Sequence, residues 1–121
     1  LIHKRADDKY HSGGLWTNAC CSHPLKDEPL EITLHHKLQE EMGFDCELTY
    51  KYKFIYKAEF SNGLTEYELD YVYEGQYNGV VSPNPEEASE YKWVNLEEVK
   101  SDAGLRPELY TEWFKIILKN F

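Results

Sequence analysis

Thr17-Asn18-Ala19-Cys20-Cys21-Ser22-His23-Pro24 sets a thiol two residues from an imidazole, just ahead of a helical stretch. Leu15 to Cys21 reads as a short strand entering the His23-Pro24 turn. Residues two apart in a strand share a face, so Cys21 and His23 can meet in one pocket, while Cys20 points the other way into packing. From Leu30 to Met42 the apolar residues Leu30, Leu34, Leu38 and Met42 recur every four positions, which predicts a helix. Gly43 is the natural stop for that helix.

Working outward, Leu1 to Arg5 looks extended and reads as the end of a strand, so a further N-terminal segment is expected before it. Ala6 to Gly14 is a polar loop. Downstream, Tyr50, Tyr52, Phe54, Tyr56 and Ala58 alternate with Lys51, Lys53, Ile55 and Lys57, a strand pattern. Asn62-Gly63 is a turn signal. The return strand alternates Tyr67, Leu69, Tyr71 and Tyr73 on one face with Glu66, Glu68 and Asp70 on the other. Ser82 to Pro85 is a loop, Tyr91 to Val94 a short strand and Leu96 to Lys100 a brief helix. Pro107 suits the first position of a last helix with Trp113, Phe114, Ile117 and Leu118 on its apolar side. Strands and helices are interspersed without regular βαβ repetition, so the expected class is α+β (or α/β), a mixed sheet between helices.

The 121 residues suit one domain, residues 1–121, with one hydrophobic core. A formal charge of −9 with no basic stripe argues against a nucleic-acid binder. A small anionic ligand fits better, held by a few local cations. Three cysteines, two of them adjacent, do not make a disulfide framework and suit a reducing, cytoplasmic setting. No apolar run reaches membrane-spanning length.

Several residue groups can carry chemistry. Glu66 and Glu68 share a strand face. Such a face is ordinarily the solvated one, but two adjacent carboxylates also call for a cation or a shared proton. A divalent ion held by two Glu and a His is one solution. Glu40-Glu41 lies at the C-terminal end of the helix, where acid opposes the dipole. Arg5, Lys9 and Lys37 are ordinary solvated charges or, together, an anion pocket. Trp113 is core, or a π face for a cation. His35 and His36 read as surface or structural.

Taken together, these residues resemble the type 1 isopentenyl-diphosphate isomerases, which have a Nudix fold. The resemblance runs along nearly the whole chain and is centred on Thr17–Pro24, similar to that family's T-N-(S/A)-x-C-(S/G)-H-P. The spacing to Glu66-Tyr67-Glu68, Tyr56 and Trp113 is also similar. A Nudix box reads from Ser22 to Phe44, with Glu28 and Glu40-Glu41-Met42-Gly43-Phe44 in pattern. Ser22 replaces its first Gly. His36-Lys37 stands where the superfamily's hydrolases place Arg-Glu, which favours the isomerase branch.

The resemblance implies Cys21 as the catalytic thiol and Glu68 as the opposing acid/base, with Tyr56 hydrogen-bonded nearby. It implies His23, Glu66 and Glu68 as ligands of a divalent ion (Mn²⁺, Zn²⁺ or Mg²⁺), completed in the family by two upstream His. His3 and His11 do not occupy those places. Glu41 resembles the carboxylate that helps hold the Mg²⁺ bridging the substrate diphosphate. Arg5, Lys9 and Lys37 resemble the diphosphate-binding cations, and Trp113 the aromatic facing the carbocation. Asn18 shapes the pocket. The implied reaction interconverts isopentenyl and dimethylallyl diphosphate: Glu68 protonates the alkene and a Cys21 thiolate removes the C2 proton. The implied partner is this small isoprenoid diphosphate, bound by a monomer or weak homodimer with no nucleic acid or membrane. The alternatives are a Nudix diphosphate hydrolase and a non-catalytic ligand-binding domain.

Overall fold

The computed structural model describes residues 1–9, 11–21, 26–60 and 62–121. Among the described residues, five strands, three α-helices and a 3-10 turn follow in the order β1 Ile2–Arg5, β2 Trp16–Asn18, α1 Leu30–Met42, β3 Leu48–Glu59, β4 Thr65–Gly75, β5 Ala88–Lys92, α2 Leu96–Leu105, the turn Pro107–Leu109 and α3 Glu112–Lys119. The α+β class holds. Among the described residues the strands pair as two antiparallel sheets, β2-β1-β5 and the hairpin β3-β4, where a mixed sheet was expected. Parallel pairing among the described residues is limited to one bridge, Trp16 to Tyr110.

The three-stranded sheet stands between two clusters of buried side chains. Ile2 joins Tyr56, Ala58, Val99, Tyr110, Trp113, Phe114 and Leu118 on the side of α2 and α3. Ala88 joins Leu38, Met42, Phe44 and Val81 on the side of α1, with Leu1 and Cys20 against them. The adjacent thiols therefore part: Cys20 packs with α1, Cys21 with the aromatic cluster.

Helix α1 has the predicted bounds. Gly43 ends it at φ 76, and its N–H bonds Gln39 O at 3.0 Å. A Cβ there would lie 2.6 Å from Ser82 O, so the site is closed to other residues by conformation and by space. Three other expectations shift. The strand expected at Tyr91–Val94 runs from Ala88 to Lys92, because β1 offers partners only that far and Asn95 is needed to cap α2. Helix α2 continues beyond Lys100 to Leu105. Pro107 heads the 3-10 turn, not α3, because Tyr110 is pulled extended against Trp16, and Thr111 N donates to Trp16 O at 3.0 Å. Thr111 then caps α3 through Phe114 N.

In the hairpin, Glu66 pairs with Ala58, Glu68 with Tyr56 and Asp70 with Phe54. Tyr56 and Ala58 are buried, so a period of two turns their acidic partners inward as well. Tyr67, at 72% exposure, and Leu69 and Tyr71 face outward. A solvated acidic face is thus the wrong reading of Glu66 and Glu68.

Candidate active site

Thr17, at the centre of β2, is fully buried. Its hydroxyl donates to Asn18 Oδ1 at 2.8 Å and lies 2.9 Å from Thr111 Oγ1. Asn18 Nδ2 donates to Cys20 O at 2.9 Å, which fixes the amide. Asn18 Oδ1 then accepts from the Cys21 thiol and from Trp113 Nε1–H, each at 3.2 Å, and the same indole N–H is 3.1 Å from Cys21 Sγ. The pocket-shaping expected of Asn18 takes this form: one amide orients both thiol and indole. Burial pushes the Cys21 thiol up to about 12, against the indole N–H of Trp113, which donates to the sulfur and favours the anion. At rest the group is a thiol, and the thiolate of the expected mechanism has to be generated.

Trp113 joins this thiol to the carboxylates. Its face carries the Arg5 guanidinium, 5.3 Å from the ring centroid. Tyr56 meets the indole in a T-shape at 6.2 Å and His11 edge-on at 6.0 Å. Tyr56 Oη donates to Glu66 Oε1 at 3.0 Å, and His11 Nε2 stands 3.1 Å from the same oxygen. The tyrosine expected beside Glu68 in fact bonds Glu66, although its Cα pairs with Glu68 across the ladder. Glu68, half-buried between Glu66 and Asp70, is pushed up to about 8 by burial, then by a hydrogen bond and repulsion from Asp70 and by Glu66. It therefore keeps its proton to a higher pH than an ordinary carboxyl does.

A second pole lies at the end of α1. Glu41 is 8% exposed and is pushed up to about 7 by burial and by Glu87, against Cys20, Lys37 and Lys9. Cys20 Sγ donates to Glu41 Oε2 at 3.5 Å, and Lys9 Nζ bonds Glu87 Oε2 at 2.6 Å. Lys37, one turn before Glu41, pairs with Glu40 at 3.2 Å. Lys9 and Lys37 thus converge on Glu41 and Glu87, whereas Arg5 sits apart over Trp113 and donates to His11 O at 3.2 Å. Arg5 Nε and His3 Nδ1 are buried without a hydrogen-bond partner among the described residues. Polar atoms so rarely stay unpaired that a ligand oxygen is the natural complement of the guanidinium.

Glu87, Asp70 and His11 were missed as site residues. Lys9 and Glu87 are 78 positions apart, so no local pattern links them. For Asp70 the signal was present, since it extends the alternation of Glu66 and Glu68. His35 and His36 are structural or surface groups, on Asp45 at 2.5 Å and near Glu28 at 3.6 Å. His23 lies outside the described residues, and so does any contact it makes.

The two candidate metal positions fare differently. Glu41 and Glu87, crowded hard-oxygen donors with raised protonation at Glu41, suit Mg²⁺. Among the described residues no group of three or more His, Cys, Asp or Glu is arranged to hold an ion. The Glu66–Glu68–Asp70 row supplies carboxylates with His11 Nε2 3.1 Å from Glu66, and His23, the expected nitrogen ligand, lies outside the described residues. No helix among the described residues is long and apolar enough to cross a membrane.

Residues 1–114 match the NUDIX domain. Among curated proteins, the chain is 49% identical over 118 residues to Isopentenyl-diphosphate Delta-isomerase 2 of Photorhabdus laumondii, covering 98% of this chain and 67% of that protein. It is 45% identical over 118 residues to Isopentenyl-diphosphate Delta-isomerase 2 of Aromatoleum aromaticum, covering 98% and 62%. It is 42% identical over 116 residues to Isopentenyl-diphosphate Delta-isomerase of Pectobacterium atrosepticum, covering 96% and 65%. The chain spans about two thirds of the length of these relatives.

Proposed function

We infer the activity from the chain's kinship: it belongs to the NUDIX domain family and, within it, to the isopentenyl-diphosphate Delta-isomerases. The proposed reaction interconverts isopentenyl diphosphate and dimethylallyl diphosphate. One proton is added to the terminal alkene carbon, a tertiary carbocation forms, and one proton leaves C2. The observation that carries this reading is Trp113, bonded to Cys21 on one side and packed on the Tyr56–Glu66 and His11–Glu66 pairs on another, with a cation already on its face.

An alkene is a weak base and needs a positioned acid in a dry site. Glu68, whose proton affinity is raised by burial and by Asp70 and Glu66, takes that role, with Tyr56 holding the neighbouring Glu66 in place. Cys21 takes the C2 proton. It first sheds its own, helped by the Trp113 N–H donated to the sulfur and by the nearby Arg5 charge. The Trp113 π system, which already attracts a cation in the Arg5 guanidinium near its ring, stabilises the carbocation. Arg5, Lys9 and Lys37 hold the diphosphate, and Glu41 with Glu87 would hold a Mg²⁺. Bound there, Mg²⁺ supplies positive charge that offsets the diphosphate. No step is assigned to an ion at Glu66 and Glu68.

The proposed partner is a small isoprenoid diphosphate, the working unit a monomer or weak homodimer, and three unpaired thiols support a reducing, cytoplasmic setting. The test is conversion of isopentenyl diphosphate with Mg²⁺, read as acid-labile allylic diphosphate, with and without a chelator. Chelator-sensitive conversion is expected. Release of free phosphate without allylic product would mean a hydrolase, and binding without turnover a non-catalytic domain.

A further inference from the structure

We propose that His11 is a positioning residue that fixes Glu66 and Arg5 relative to Trp113, an inference resting on the isomerase reading above. The imidazole is 7% exposed and has neighbours on every side. Its Nε2 is 3.1 Å from Glu66 Oε1, the oxygen that also accepts from Tyr56. Its Nδ1 lies 3.1 Å from Ser12 Oγ. A neutral imidazole suits both contacts in one tautomer, with Nε2–H turned toward Glu66 and Nδ1 accepting from the serine hydroxyl. The ring stacks on Phe60 at 4.6 Å and meets Trp113 edge-on. Its carbonyl accepts from Arg5 Nη2.

One residue thus grips a carboxylate with its side chain and a guanidinium with its backbone, and both of those border the same indole. The loop is built to hold it. Ser12 takes φ 55, a strained value for a residue with a Cβ. Gly13 passes so close to the chain that a Cβ would stand 2.7 Å from Asp7 O. Gly14 N and Arg5 O then close the loop at 3.0 Å. With Nδ1 on Ser12 and Nε2 against Glu66, His11 acts by orientation. Displacing reacting groups by a fraction of an ångström costs rate steeply, so the effect belongs in kcat.

The ring also walls a cavity of about 510 Å³ lined by Leu15, Lys57, Ala58 and Phe60, so alanine would open the site to water. The variant of choice is therefore His11→Phe, which keeps the stack and removes the donor, with His11→Gln restoring a donor near the Nε2 position. We expect His11→Phe to lower kcat at least tenfold, with KM changed less than threefold and the melting temperature close to wild type. His11→Gln should recover most of kcat. Imidazole ¹⁵N spectra should show the proton on Nε2 in wild type and a loss of that fixed tautomer in Glu66→Ala. Unchanged kcat in His11→Phe, no recovery in His11→Gln, or a wild-type proton on Nδ1 would each overturn the proposal. A wild-type protein that does not isomerise would instead refute the isomerase reading, and the spectra would still decide the contact with Glu66.

Discussion

Cys21 and Glu68 hold their protons for different reasons, one through burial and one through burial among other acids. Their removal should therefore act on rate and not on folding. Cys21→Ala and Glu68→Gln are each expected to lower turnover by roughly 10²–10⁴-fold, the range for positioned acid-base groups, with melting curves close to wild type. Steady-state assays on purified, folded variants decide this, and full activity in either would remove that residue from the mechanism. Glu41 makes a separate prediction. Its folded value, about 7, lies above its ordinary 4.5, so the native state keeps a proton that the unfolded chain has lost. Its contribution to stability is complete below 4.5 and fades as the pH rises through 7. Glu41→Gln removes this slope. It should stabilise the fold by roughly 1–3 kcal/mol at pH 8.5 relative to its effect at pH 5. Denaturant titrations at the two pH values measure this, and an equal effect at both would contradict it.

At the scale of elements, the helix ends are the sharpest test. Gly43→Ala must place a Cβ at φ 76, 2.6 Å from Ser82 O, and should cost at least about 2 kcal/mol, read from thermal or denaturant melts. Helix α1 and its stop were legible because a four-residue period and a glycine are local signals. So was the pairing of β3 with β4 across Asn62-Gly63. Which side of the hairpin looks inward was not legible, since alternation says that Glu66 and Glu68 share a face but not what that face meets. That depends on Tyr56 and Ala58 being drawn into a cluster built from α2 and α3. Pro107 misled for a similar reason: the tie of Tyr110 and Thr111 to Trp16 is distant in sequence and overrides a good helix start. In the site, Cys21, Trp113 and Glu66 were readable from the motif and its spacing; Cys21 touches Trp113, and Glu66 reaches the indole only through Tyr56 and His11. Glu87 was not, because its meaning comes from Lys9 and Glu41 across the fold.

On the scale of the whole molecule, a chain of net charge −9 turns several of its carboxylates toward its own interior. A cation that binds the folded state alone then stabilises it by mass action. Millimolar Mg²⁺ should raise the melting temperature at pH 8, and Glu41→Gln should reduce that rise, as scanning calorimetry with and without chelator would show. The orientation of β4 has a further consequence, for folding. Its apolar stripe Tyr67, Leu69 and Tyr71 faces water, and its acidic stripe faces the cluster. Sliding this strand by one residue against β3 would exchange the stripes and offer the chain a greasier interior. The working alignment of the hairpin is therefore the one that apolar burial alone would not select. Refolding therefore has to escape a slipped and sticky arrangement of the same two strands before the acidic stripe reaches its place beside Tyr56.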